Sequence, residues 1–231
     1  MKKRTSTEAL DRLLNIMARL RSPDGCPWDA EQTPETLRPY LIEEAYEVID
    51  AIDNGDPAKV CEELGDLLLQ IVFHACIFEE RGDFSFTQVA DSISEKLIRR
   101  HPHVFSTKAQ NPDLDLEAQW EQIKTAERDQ EGASNHFLSG IPRHLPALQR
   151  GQKILQKCSR NGAELPAHIN LDLNEMQRLL GSDENCKNEV MEPERMVGEL
   201  LLKVVELARQ LDVDAENALR MVNRLIVNEI T

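Results

Sequence analysis

Residues 33–82, TPETLRPYLIEEAYEVIDAIDNGDPAKVCEELGDLLLQIVFHACIFEERG, decide how this chain folds. Thr33-Pro34 opens a helix, because a threonine cap followed by proline at the first helical position is already shaped for one, and Asn54-Gly55 ends it. Between these signals Leu37, Leu41, Ala45, Val48 and Ile52 recur at three- and four-residue steps and predict one apolar stripe. Asp56-Pro57 starts another helix at once, which runs to Arg81-Gly82 with Val60, Leu64, Leu67, Ile71, Ala75 and Phe78 as its stripe. Helices joined by so short a turn are antiparallel neighbours. With the turn centred near Gly55, residues whose numbers sum to 110 face each other at equal height.

The same periodicity continues outward. Before the hairpin, Leu10, Leu13, Leu14, Met17 and Leu20 follow a capping box formed by Thr5 and Glu8. After it, a helix with Val89, Ile93 and Leu97 begins near Ser85 and stops before Pro102. Residues 101–115, with Pro102 and Pro112, read as a long loop, and Leu116–Gln130 as a further helix. Aromatic residues are only 4% and glycines only ten, which disfavours a β-sandwich or barrel. The fold class is therefore all-α, an antiparallel helical bundle.

Charge and cysteine content exclude several functions. The net charge of −14 leaves no basic footprint for general nucleic-acid binding. Five scattered cysteines with no CxxC pair argue against a disulfide framework and a zinc ribbon. Lys2-Lys3-Arg4 is followed by a charged segment and not by an apolar one, and no stretch approaches 18 apolar residues, so the expectation is a cytoplasmic protein without a membrane span.

An internal repeat is visible as well. Leu64–Ala75, LGDLLLQIVFHA, and Val197–Ala208, VGELLLKVVELA, share six of twelve residues at an offset of 133. Residues 129–140 have linker character. The expected organisation is a first module over 1–130 and a second, degenerate copy over 131–231.

The chemistry gathers on the central hairpin. Glu44 and Glu47 share one face of its first helix, and Glu63 and Asp66 share one face of its second. The register sets Glu44 opposite Asp66 and Glu47 opposite Glu63, so four carboxylates converge. Like charges so close require protonation or cations, and all-oxygen ligation suits Mg²⁺ or Mn²⁺. A di-iron site needs Glu-x-x-His pairs, and no histidine here has a glutamate three positions before it. The competing reading is an ordinary acidic hairpin, since 41 acids produce such pairs on solvated faces by chance. Lys96, Arg99 and Arg100, followed by His101 and His103, form a cationic patch that either complements its helix dipole or holds a polyphosphate. Gly25-Cys26-Pro27-Trp28-Asp29 reads as a loop whose Trp28 and Asp29 either face a nucleobase or cap the bundle.

Taken together, Glu43-Glu44-x-x-Glu47, Glu63-x-x-Asp66, Cys-Pro-Trp-Asp at 26–29 and Arg99-Arg100-His101-Pro102-His103-Val104-Phe105 resemble the MazG-type nucleoside triphosphate pyrophosphohydrolases. The resemblance implies an all-α, Mg²⁺-dependent enzyme, dimeric, that hydrolyses nucleoside triphosphates to the monophosphate and pyrophosphate. It assigns the metal to Glu44, Glu47, Glu63 and Asp66, with Glu43 as an outer group or base. A carboxylate, Glu43 or Glu47, is expected to take the proton of the attacking water, with Lys96, Arg99 and Arg100 on the phosphates. The second copy departs from the pattern: the offset turns Glu63 into Met196 and Asp66 into Glu199, and the region before it supplies only Asp172 and Glu175. Two rivals remain. One is a nucleotide sensor that kept the metal site without turnover, and the other is a purely structural bundle.

Overall fold

The computed structural model describes residues 4–105, 116, 119–120, 123, 126–127, 137–164 and 193–230, and among these every regular element is an α-helix. They are α1 (Ser6–Leu20), α2 (Pro27–Glu31), α3 (Pro34–Asp53), α4 (Pro57–Glu80), α5 (Phe86–Arg100), α6 (Pro102–Phe105), α7 (Ala147–Arg160), α8 (Pro193–Gln210) and α9 (Ala215–Ile230). Leu116, Trp120, Ile123 and Glu127 are helical too. The chain forms two compact units, Met1–Trp120 and Glu121–Thr231. Asp172 and Glu175 lie outside the described residues.

The caps anticipated from sequence form where expected. Thr5 Oγ1 accepts from the Glu8 amide at 3.2 Å and Glu8 Oε2 accepts from the Thr5 amide at 2.7 Å. Thr33 caps α3 with Pro34 behind it, Asp56 Oδ1 accepts from the Ala58 and Lys59 amides, and Ser85 caps α5. Gly55 adopts φ 67° between α3 and α4, a left-handed turn that a side chain would strain. That turn folds α4 back along α3.

Three sequence expectations need correction. Residues 26–29 are not a loop: Pro27 starts the short helix α2. The loop expected from residue 101 begins with a helical turn, Pro102–Phe105. The apolar stripes of the hairpin are also rotated. Leu64 is 49% exposed and Ile52 58%, while Glu63 and Gln70 are buried alongside Val72, Phe73 and Ile77 on α4. The hairpin is apolar on two sides, and the side its own chain covers is the one shared with the carboxylates.

In the first unit Met17, Leu37, Val72, Phe73 and Ile77 form the core, with Leu13, Leu14, Leu20, Leu69 and Phe86 against it. In the second, Leu155, Val205 and Ala215 are packed by Leu148, Leu202 and Ala208. Buried Gln152 clamps the α8–α9 connection there, donating to the Val213 carbonyl at 2.8 Å and accepting from the Ala215 amide at 3.0 Å. Among the described residues no helix is long and apolar enough to cross a membrane, and Cys26, Cys61, Cys76 and Cys158 are free thiols.

Candidate active site

Glu44 projects from the middle of α3, and Glu63 and Asp66 project from the first half of α4, one turn apart on one face. The hairpin brings one oxygen of each within 4.8 Å of the other two. Glu63 is 4% exposed, Glu44 and Asp66 are half-buried, and Glu43 and Glu47 are exposed. Glu47 is not among the three clustered oxygens; it lines a cavity of about 380 Å³ with Asp50, Lys59, Glu62, Glu63 and Asp66. The hairpin thus gathers Glu44, Glu63 and Asp66, while Glu47 lines a cavity with Glu63 and Asp66, and Glu63 has a further partner besides these.

That partner is Lys59, whose Nζ lies 2.7 Å from Glu63 and 3.1 Å from Glu62. Glu63 first and Glu62 second raise the Lys59 ammonium above its usual range. Glu44 shows the strain of the cluster. Burial chiefly, and then the charges of Asp66, Glu47, Glu63 and Glu43, push its carboxyl above the ordinary carboxylate range. Three carboxylate oxygens gathered within 4.8 Å could hold one cation, and hard divalent cations take oxygen ligands. The donor set is all carboxylate, which again favours Mg²⁺ or Mn²⁺.

Trp28 and Asp29 stand on α2, which is held in place from below. Gly25 packs so tightly that a methyl group there would run into the Arg19 and Leu20 carbonyls. The Arg21 guanidinium makes a two-pronged pair with Glu80 at 2.7 Å on each arm and also donates to the Asp29 and Gln32 carbonyls. The hydrogen bonds from Arg21, and then its charge, hold the Glu80 carboxyl below the usual range. Trp28 is 53% exposed and meets Tyr40 edge-on at 6.4 Å. Tyr40 lies one turn before Glu44 on α3, so the exposed indole adjoins the carboxylate helix.

The cationic residues are arranged differently. Lys96 lines a separate groove with Phe84, Val89 and Ile93, and Arg100 stacks over the Trp120 ring at 5.9 Å. Arg99 is exposed near the end of α5, and His101 Nδ1 lies 2.7 Å from the Leu97 carbonyl. The carboxylate cavity itself is lined from α3 and α4. Sequence reading overlooked Lys59 and Arg21. The first was detectable as a lysine four residues before Glu63, whereas the second depends on a contact 59 residues away in sequence and left no local signal.

Residues 32–105 match the model of the MazG nucleotide pyrophosphohydrolase domain, a span that starts beside α3 and ends with α6. The chain is 44% identical over 218 residues to the nucleoside triphosphate pyrophosphohydrolase of Escherichia coli, covering 93% of this chain and 82% of that protein. It is 42% identical over 219 residues to the nucleoside triphosphate pyrophosphohydrolase/pyrophosphatase MazG of Thermotoga maritima, covering 94% and 82%. A nucleoside triphosphate pyrophosphohydrolase of Mycobacterium tuberculosis is 39% identical over 164 residues, covering 70% of this chain and 48% of that protein. With identity sustained over nearly its whole length, the chain belongs to the MazG family of nucleoside triphosphate pyrophosphohydrolases.

Proposed function

We propose that this chain hydrolyses nucleoside triphosphates, with Mg²⁺, to nucleoside monophosphate and pyrophosphate, and that the α3–α4 carboxylates are its catalytic centre. The observation that carries the reading is the set of three carboxylate oxygens within 4.8 Å of one another. Glu44, Glu63 and Asp66 would hold the cation, and Glu47, exposed and lining a cavity with Glu63 and Asp66, completes the ligand set or takes the proton of the attacking water, with Glu43 as the other candidate base. Mn²⁺ is the natural substitute. When bound, the metal polarises the triphosphate and makes water a stronger nucleophile at neutral pH. Trp28, exposed beside the carboxylate helix, offers a stacking face for the base, with Asp29 next to it. Lys96, Arg99 and Arg100, on α5 and outside the lining of the carboxylate cavity, are the cations proposed to meet the phosphates.

Residues 131–231 are read as a degenerate copy with a structural role. Glu199, the counterpart of Asp66, is tied to Arg195 at 2.9 Å, and Met196 replaces Glu63. A homodimer accounts for the uncovered apolar side of the hairpin, where Ile52, Leu64 and Ile71 are exposed. Removal of non-standard nucleotides from the cytoplasmic pool is the physiological role this activity would serve.

The test incubates the protein with Mg²⁺ and a panel of standard and modified nucleoside triphosphates, scoring phosphate with and without added inorganic pyrophosphatase. Phosphate released only with the added enzyme, and lost in Glu47→Ala, is the expected result. Mg²⁺-dependent nucleotide binding with no release from any substrate would make the protein a sensor instead.

A further inference from the structure

Gln70 is 6% exposed, and its carboxamide oxygen is closed off from solvent with no hydrogen-bond partner among the described residues. A buried carbonyl left this way is rare in folded proteins and calls for a missing donor. Its position says where that donor comes from. At about 100° per residue Gln70 falls between Glu63 and Asp66 around the axis of α4, one turn beyond Asp66. Along the hairpin it lies between the level of Glu44 and Asp66 and the core level of Leu37 and Phe73. On the core side, Leu37 and Phe73 have no polar hydrogen to give. On the site side stand the carboxyl groups of Glu44, Glu63 and Asp66, which as carboxylates are acceptors. A donor carried by a guest in the carboxylate site would satisfy the Gln70 oxygen.

The second unit supplies an independent comparison. At the offset of 133, Gln70 becomes Lys203 in the same helix in which Glu63 becomes Met196. Where the carboxylate disappears, the carboxamide disappears with it.

We propose that Gln70 is a positioning residue for the cation site, its side-chain oxygen accepting a hydrogen from a water of the bound cation's shell. The inference rests on the metal-site reading above. Mg²⁺ retains several waters in protein sites, and a water on a divalent cation is a strong donor. Outer groups of this kind fix ligand geometry, and their removal typically lowers metal affinity about 10–100-fold.

The test measures Mn²⁺ affinity by electron paramagnetic resonance, together with the melting temperature without cation, on the full chain. Gln70→Met has similar bulk and no strong acceptor. It is expected to weaken Mn²⁺ binding about 10–100-fold while leaving the cation-free melting temperature unchanged or raised, because an unpaired carbonyl has gone. Gln70→Glu keeps an acceptor and should retain Mn²⁺ affinity to within about threefold of the parent. Mn²⁺ affinity unchanged in Gln70→Met overturns the proposal. If that variant does not fold, the parent protein decides: its Gln70 side-chain amide resonance must move on Mg²⁺ titration, and an unmoved resonance overturns the proposal equally. Asp66→Asn separates the two levels. If it loses Mn²⁺ binding while Gln70→Met keeps it, only this inference fails; if it too keeps Mn²⁺, the metal-site reading itself fails.

Discussion

Lys59 Nζ lies 2.7 Å from Glu63 Oε1, so the buried carboxylate of the cluster meets an ammonium from one turn earlier on its own helix. This cation neutralises the charge that a divalent ion would otherwise claim. Lys59→Met is expected to lower the melting temperature of the cation-free protein, because Glu63 then faces Glu44 and Asp66 without relief. With the competitor removed, Mn²⁺ should bind roughly three- to tenfold more tightly, and the stabilisation on adding Mn²⁺ should grow accordingly. Titration calorimetry checks the first and thermal melts check the second. Weaker Mn²⁺ binding would mean that Lys59 supports the site and does not compete for it.

Glu44 gives the cluster a signature in pH. Its carboxyl is raised above the ordinary range, chiefly by burial, so the folded protein holds this proton more tightly than the unfolded chain. Stability from this group is therefore present at low pH and is lost as pH rises from about 4.5, the ordinary carboxylate value, through the raised value. Glu8, Glu35 and Glu80, whose carboxyls are held low by hydrogen bonds, contribute the opposite slope. The two are separated by comparison with Glu44→Gln. At pH 7 without metal that variant should melt a few degrees higher than the parent and gain nothing from added Mg²⁺. Melting curves from pH 4 to 8, with and without Mg²⁺, test both statements.

Much of the hairpin was legible because its signals are local. Thr33-Pro34, Asp56-Pro57 and Gly55 each act on their neighbouring residues, and the turn they define sets Glu44 against Asp66. The apolar stripes were misread for a different reason. Leu64 and Ile71 are as apolar as Val72 and Phe73, and no periodicity distinguishes the side covered by this chain from the side left exposed. Gln70 escaped notice because a glutamine among leucines carries no sign of burial. The helical state of Pro27–Glu31 was hidden likewise, since Arg21 and Glu80 hold that turn from distant points of the chain.

Arg21 provides a probe of α2 that leaves Trp28 itself intact. Its side chain is 6% exposed, and it joins Glu80 to the Asp29 and Gln32 carbonyls. Lysine keeps the charge but cannot make the two-pronged pair or reach both carbonyls from one planar group. Arg21→Lys is expected to destabilise by about 1–3 kcal/mol, the usual worth of hydrogen bonds to a charged group. If Trp28 stacks on the base, the loosened helix should raise KM roughly three- to tenfold with kcat within about twofold, the pattern of lost uniform binding. A fall in kcat at constant KM would instead place α2 in the chemical step.

Gln152 tests the structural reading of the second unit. Its amide satisfies both the Val213 carbonyl and the Ala215 amide at the start of α9, in a site where Gln152 is itself buried. Gln152→Leu preserves the bulk and strands the buried Ala215 amide, at about 1–3 kcal/mol, a sizeable share of a unit whose total stability is on the order of 5–15 kcal/mol. The expected outcome is an early melting transition assigned to residues 131–231 by hydrogen exchange. If that unit is structural, Mn²⁺ affinity at Glu44, Glu63 and Asp66 should stay within about twofold of the parent above that transition, where the second unit is unfolded. A loss of Mn²⁺ affinity that coincides with the early transition would show that the second unit contributes to the carboxylate site.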